Sequence, residues 1–178
     1  DANAPVLKRG YVLLNSDNEV VEVGELTEEC EDTEFYSGIL CPGFVNAHCH
    51  VELSHLVGMF EQATGMSGFI NQINAMRENV GKEGRIKALE AQMDKMYREG
   101  VSAMADISNC SESFECKSKS PMYTRTFLEL FGSEPKDAQD VLESGKSLAQ
   151  VAKEYGIDAA ITPHSCYTMS PQLLAMAA

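Results

Sequence analysis

The sequence has no long hydrophobic run and no cluster of basic residues. No apolar segment approaches the roughly 18 residues that a membrane-spanning helix needs, and the first residues, DANAPVLKRG, contain no apolar core of the signal-peptide type. The formal net charge is −13 and the 14 Lys and Arg residues are scattered, whereas a nucleic-acid partner requires a basic face. We therefore predict a cytoplasmic protein that binds neither nucleic acid nor membranes.

The six cysteines include no C-x-x-C pair. This absence excludes a zinc ribbon and a thioredoxin-like motif, and the missing P-C-x-x-C signature excludes the small cytidine-deaminase fold. An irregular set of cysteines without a signal peptide is typical of reduced thiols that pack as small apolar side chains. Cys166 could line a site beside His164, but a catalytic thiol needs an activating neighbour, which the sequence does not place.

The first forty residues differ in pattern from the rest. Short β-type runs at 11–14 and 20–23 flank the turn-rich NSDN, which predicts a hairpin. Farther along, runs of β character alternate with apolar positions at helical spacing. We predict strands at 43–47, 101–109, 122–132 and 157–162, and helices at 69–80, 86–99, 137–155 and from Ser170-Pro171 onward.

Alternating strands and helices form parallel sheets with helical crossovers. A complete (β/α)8 barrel takes about 250 residues, or roughly 30 per unit. Residues 41–178 hold four such units, so we predict an α/β fold: the first half of a TIM (β/α)8 barrel, preceded by residues 1–40 as part of a small β-sandwich domain. Because the sequence stops within the apolar helical pattern QLLAMAA, we expect a truncated chain.

Three of the four histidines lie within the stretch PGFVNAHCHVELSH at 42–55. His48 and His50 are two residues apart on a predicted strand, so both imidazoles share a face and Cys49 points the other way. Two neutral imidazoles on a rigid strand end are a natural pair of ligands for zinc or a similar cation. The pair also lies where (β/α)8 enzymes carry their chemistry. We predict a metal site, with a solvated histidine pair as the alternative.

Three segments carry a resemblance to a known family. PGFVNAHCHVELSHL resembles the first-strand motif of the amidohydrolase superfamily, in its deaminase and chlorohydrolase-like branch. GVSAMADISN resembles the second strand of that branch and ITPHSCYTMSPQLL its fourth. The resemblance covers nearly the whole chain. It implies that His48 and His50 bind a divalent metal, zinc in the first place and iron as the alternative, and that His164 and Glu52 contact substrate.

The chain also departs from the family pattern. The family requires a fifth-strand His followed by a catalytic Glu, a sixth-strand His and an eighth-strand Asp, but only 14 residues follow His164. We therefore predict that this fragment contains no catalytic residue, is inactive alone and holds its metal weakly or not at all.

The resemblance implies a metal-dependent hydrolase of C–N bonds, in the first place a hydrolytic deaminase of an aminated nitrogen heterocycle such as a purine or pyrimidine. One alternative is a hydrolase of cyclic amides, ureas or chloro-triazines from the same superfamily. Another is a non-catalytic half-barrel that binds metal or ligand. We expect a small heterocyclic substrate and a homo-oligomer, with pairing of half-barrels as one form.

Four further polar residues remain open at this stage. His55 is consistent with a substrate contact and with a helix-capping or loop position. Glu129, near the end of the third barrel-like strand, is either a buried functional group or the partner of an arginine such as Arg125. Asp106 and Asn109 end the second such strand, and we expect them to fix the neighbouring loop by hydrogen bonds.

Overall fold

The computed structural model describes residues 5–28 and 33–178. They fall into two compact units, divided between Cys41 and Pro42. The strands are β1 Gly10–Leu14, β2 Val20–Glu25, β3 Phe44–Cys49, β4 Val101–Ser108, β5 Tyr123–Leu130 and β6 Asp158–Pro163. The α-helices are α1 Gly65–Met76, α2 Lys82–Arg98, α3 Phe114–Lys119, α4 Ala138–Glu154 and α5 Pro171–Ala177, and short 3-10 helices cover Val51–Leu56 and Pro135–Asp137.

The first unit contains the predicted hairpin. Strands β1 and β2 pair antiparallel, from Gly10 opposite Glu25 onward. The Asn15 side chain accepts hydrogen bonds from the backbone N–H groups of Asp17 (3.0 Å) and Glu19 (2.9 Å), which explains why NSDN forms the turn. Cys30 lies outside the described residues, and the β-sandwich assignment of residues 1–40 stays a prediction.

The second unit is built on a parallel sheet with strand order β3-β4-β5-β6. Each strand connects to the next through at least one helix, as the alternating pattern predicts. In β4 and β5 every second residue is buried. The helices cover that face, and α2 packs Leu89 and Met93 against Met104 of β4. The methionine stripe of α2 is therefore core.

Two parts of this unit differ from the predictions. Helix α1 ends at Met76, whereas the apolar repeat predicted continuation to residue 80. The sequence pattern also gave no sign of the 3-10 helix after the histidines or of α3, a single short helix that buries Phe114 completely. Helix α5 begins as predicted, because Ser170 Oγ accepts a hydrogen bond from the Leu173 N–H (3.1 Å). No described helix is long and apolar enough to cross a membrane.

Candidate functional site

A pocket of about 330 Å³ opens at the carboxyl ends of β3, β5 and β6. Side chains at this edge of a parallel sheet converge because all the strands point the same way. The lining comprises Ala47, His48, His50, Ile107, Phe127, Glu129, Thr162, Pro163 and His164. The pocket thus unites three of the four histidines with one carboxylate.

The two histidines of the H-x-H segment lie on one side of the sheet, as strand alternation predicts. The ring centroids of His48 and His50 are 5.3 Å apart and their planes meet at 66°. Within 5–28 and 33–178 no residue hydrogen-bonds a ring nitrogen of either histidine. Both imidazoles therefore present free nitrogen atoms to the pocket.

Cys49, between the two histidines, points away from the pocket. Its Sγ–H donates to Asp106 Oδ1 (3.5 Å) and it packs against the core of the helix-covered face. Burial, followed by the negative charge of Asp106, raises the pKa of the Cys49 thiol to about 12. Cys49 is therefore a neutral thiol at neutral pH and no candidate ligand beside the imidazoles.

His164 and Glu129 face each other across the pocket. His164 Nε2 lies 3.8 Å from Glu129 Oε1, and the Glu129 side chain is only 12% exposed. His164 Nδ1 lies 2.7 Å from Thr168 Oγ1, so the ring is held on its far side and Nε2 is directed at the pocket. Arg125 instead pairs with Asp158. The structure therefore favours the alternative in which Glu129 is a pocket group and does not show an Arg125–Glu129 pair.

Asn109 connects the pocket to the loop after β4. Its Nδ2 donates to the carbonyl oxygen (3.3 Å) and Oε2 (3.4 Å) of Glu129. Its backbone N–H donates to Glu52 Oε2 (2.9 Å). Asn109 thus fixes the loop by hydrogen bonds, as expected from its position at the end of a strand.

Glu52 lies away from the histidine pocket. It lines a second pocket of about 340 Å³, together with His55, Arg77, Glu78, Arg85, Cys110 and Glu112. Its side chain is 2% exposed; Oε1 forms an ion pair with Arg77 (2.6 Å), and Oε2 accepts from the Asn109 N–H and the Cys110 thiol. Because protein groups engage both oxygens, this geometry does not direct Glu52 at the histidine pair, and its contact with substrate stays a prediction.

His55 also belongs to the second pocket. Its Nε2–H donates to the carbonyl oxygen of Arg77 (3.0 Å), which ties the 3-10 helix to the end of α1. Its Nδ1 is buried without a partner among the described residues. His55 therefore lies within the 3-10 helix and not in a loop, and a substrate contact at this residue stays a prediction. Cys166 is exposed and is absent from the lining of the histidine pocket.

Sequence reasoning missed a buried ion pair behind the histidines. Lys117 Nζ lies 2.6 Å from Asp106 Oδ2, and neither side chain exposes any surface. Asp106 Oδ1 accepts from the backbone N–H of Val51 (2.8 Å), the residue after His50. The only sequence signal was a lysine in an otherwise unremarkable segment, FECKSK, where nothing indicates burial.

The donor set of the histidine pocket fits part of a metal site. Two imidazoles with free ring nitrogens match the ligands that zinc and iron accept. No group of three or more His, Cys, Asp or Glu side chains converges for a metal within the described ranges. His48 and His50 would therefore supply two donors to a bound cation.

No family model matches the chain. Over 182 residues it is 26% identical to a 5-methylthioadenosine/S-adenosylhomocysteine deaminase of Bacillus cereus (strain G9842), and 25% identical to the protein of that name from Bacillus anthracis (strain A0248). Each alignment covers 95% of this chain and 42% of the relative, so the chain spans less than half the length of the curated relatives it matches.

A solved structure is similar over almost the same span. Helicobacter pylori aminofutalosine deaminase, crystallised with methylthio-coformycin, superposes with a TM-score of 0.76 and 21% identity, covering 99% of this chain and 44% of that one. At that identity the likeness concerns the fold. The chain is thus related in sequence to curated deaminases and shares the fold of part of another, both of the amidohydrolase type.

Proposed function

We propose that this chain is part of a metal-dependent hydrolytic deaminase. The observation that carries the proposal is the pocket at the carboxyl ends of the parallel strands, where His48, His50, Glu129 and His164 converge in a chain similar to deaminases over 95% of its length. We further propose that β3–β6 are the first four strands of a (β/α)8 barrel. In support, β3 and β6 each have an edge without a neighbouring strand in the described part.

The proposed substrate is an aminated purine in a nucleoside-like molecule. Both compounds in the relatives' name, 5-methylthioadenosine and S-adenosylhomocysteine, carry an adenine ring with an amino group on an sp² carbon. In the proposed reaction water supplies an oxygen to that carbon and the exocyclic C–N bond breaks. One hydrogen of the water leaves with the amino group as ammonia, and the other stays on the ring nitrogen beside the new carbonyl.

His48 and His50 would hold a divalent cation, zinc in the first place and iron as the alternative. When bound, such a cation lowers the pKa of water towards 7 and so provides a nucleophile at neutral pH. The two free imidazoles, 5.3 Å apart, support this assignment. We propose that the other ligands and the acid–base carboxylate lie outside these 178 residues, so that the chain alone is inactive and binds metal weakly.

His164 and Glu129 would bind and orient the substrate. The contact between His164 Nδ1 and Thr168 leaves Nε2 free to meet a polar group in the pocket. Glu129 keeps one oxygen near His164 and the other within reach of the Asn109 amide, so its carboxylate is directed at the same space. A carboxylate there accepts hydrogen bonds from an N–H or O–H group of the ligand.

The full-length gene product tests the proposal in an ammonia-release assay. We expect ammonia from 5-methylthioadenosine, S-adenosylhomocysteine or adenosine, and none from a cyclic amide, a cyclic urea or a chloro-triazine. His48→Ala and His50→Ala should abolish both activity and bound metal. His164→Ala should lower kcat/KM while the metal is retained. The control is Cys166→Ala, which removes an exposed side chain that does not line the pocket.

Other outcomes distinguish the remaining candidates. Hydrolysis of the cyclic amide or chloro-triazine alone would refute deamination and favour the alternative of a cyclic-amide or chloro-triazine hydrolase. A full-length product that binds metal through His48 and His50 but hydrolyses none of these compounds would favour a binding protein. Homo-oligomerisation and pairing of half-barrels stay predictions, which sedimentation of the 178-residue chain tests.

A further inference from the structure

A buried charged cluster lies directly behind the histidine pair, on the helix-covered face of the sheet. The Lys117 ammonium contacts three oxygens: Asp106 Oδ2 (2.6 Å), Ser108 Oγ (2.9 Å) and Thr126 Oγ1 (3.2 Å). Lys117 reaches them from α3, whereas the three acceptors stand on β4 and β5. Since an ammonium group has three hydrogens, Lys117 is fully satisfied without water.

The carboxylate of this cluster reaches the residues on both sides of His50. Asp106 Oδ1 accepts from the Val51 N–H (2.8 Å) and from the Cys49 thiol (3.5 Å). Asp106 Oδ2 accepts from Ser108 Oγ (2.9 Å) in addition to Lys117. A single buried side chain thus holds the backbone where β3 ends and the 3-10 helix begins.

The pairing of β3 with β4 is irregular beside the two histidines. The parallel register between β3 and β4 shifts between Asn46 and Cys49, so the regular ladder is interrupted where the histidines stand. No described residue hydrogen-bonds their ring nitrogens. The orientation of the two imidazoles therefore depends on the backbone between 48 and 51. Asp106 supplies a charged acceptor to it, beside the Leu53 N–H on the His50 carbonyl oxygen (3.0 Å) and the Ser54 hydroxyl on the Val51 carbonyl oxygen (2.7 Å).

We propose that Asp106, fixed by Lys117, is a positioning residue for the His48–His50 pair. Its hydrogen bond to the Val51 N–H holds the backbone where the β3–β4 ladder is interrupted, and so keeps both imidazoles turned to the pocket. That their separation lets one cation bridge them rests on the proposed function. A charged acceptor suits the task because its hydrogen bonds are shorter and stronger than those of a neutral one. Lys117 makes a buried carboxylate tolerable there.

Two variants separate positioning from stability. Asp106→Leu combined with Lys117→Met removes both charges together, a replacement that buried ion pairs often tolerate without loss of stability. The Val51 N–H then has no acceptor. Asp106→Asn has the opposite effect, because its amide oxygen still accepts from Val51 while Lys117 loses its counter-ion. The matched control is Asp158→Asn, an acid of the same sheet whose partner is Arg125, at the other end of the strands.

The first readout needs no metal. By NMR on the 178-residue chain, we expect the Val51 amide of the double variant to exchange with solvent at least about tenfold faster, and the contacts between the two imidazole rings to change. In Asp158→Asn both should stay close to wild type. In Asp106→Asn the ring contacts should stay, and Val51 should lose no more protection than the other core amides, because the unpaired buried Lys117 lowers only the global stability. The inference is overturned if the double variant folds and keeps the Val51 protection and the ring contacts. It is equally overturned if Asp106→Asn keeps the Val51 protection but loses the ring contacts.

The second readout is the affinity of the full-length gene product for Zn²⁺, measured by competition with a chromophoric chelator. Residues that support metal ligands typically contribute about 10–100-fold to affinity, and we expect a loss of about tenfold in the double variant. If wild type and a His48→Ala/His50→Ala variant bind Zn²⁺ equally, the proposed metal site fails, while the exchange and ring-contact data still decide the role of Asp106. An unchanged affinity in a double variant whose ring contacts are altered would contradict the link between positioning and the metal.

Discussion

Replacing Lys117 by methionine should destabilise the protein far more than any exposed lysine does. The substitution keeps a flexible side chain of similar length but leaves the Asp106 carboxylate buried without its cation. Removing one partner of a buried pair costs about 3–5 kcal/mol. Because single domains are stable by only about 5–15 kcal/mol, this is a large fraction of the total. At about 2–4 °C per kcal/mol for a chain of this size, Tm should fall by about 6–20 °C.

The same helix provides a matched control. Lys119 is exposed and pairs with Glu115 one turn earlier, where water screens the ion pair, so its loss should change stability little. Urea unfolding at pH 7, followed by circular dichroism, compares Lys117→Met with Lys119→Met. A loss for Lys117→Met no larger than that of the control would refute the reasoning, because it would mean that water reaches the Asp106 carboxylate.

Three further predictions concern a helix cap, the thiols and acid stability. Ser170→Ala should cost about 1 kcal/mol in urea unfolding, because its hydroxyl caps the last helix and is buried; an unchanged midpoint would contradict this. Iodoacetamide at pH 8 should label Cys166 in the native chain and spare Cys49 until unfolding, since burial raises the pKa of Cys49 to about 12; peptide mass mapping detects either order. The hydrogen bond from Arg85 lowers the pKa of the Glu112 carboxyl below its usual value. Glu112 therefore contributes stability above its unfolded-state pKa, and this stability is lost as the pH falls through its folded-state pKa. Glu112→Gln should therefore flatten the dependence of the urea midpoint on pH as the pH falls from neutral into the acid range, and identical curves would refute the pairing.

The sequence predicted well those features that depend on local periodicity. Alternation along β3 placed His48 and His50 on one side and Cys49 on the other, because the side-chain period of a strand is two residues. The turn residues NSDN predicted the hairpin, and Ser170 predicted the start of the last helix. These signals reside in neighbouring residues, so no knowledge of the fold was needed.

Long-range polar partners could not be read in the same way. Asp106 lies on β4 and Lys117 on the following helix α3, and nothing in the sequence indicates that a lysine there is buried. Glu52 follows the histidines closely in sequence, yet Arg77 at the end of α1 engages its carboxylate. Which of many scattered charges meet is decided by the packing of helices on the sheet. Predictions for individual polar residues therefore depend on tertiary contacts that periodicity does not report.

The deaminase account depends above all on metal-dependent ammonia release by the full-length gene product. We would assay one purified sample with 5-methylthioadenosine as isolated, after removal of metal with a chelator, and after addition of Zn²⁺ or Fe²⁺. The account predicts one ammonia per substrate consumed, loss of activity with the metal and recovery on its return, with no recovery in His48→Ala. Ammonia release that persists at full rate without metal, or in His48→Ala, would contradict it.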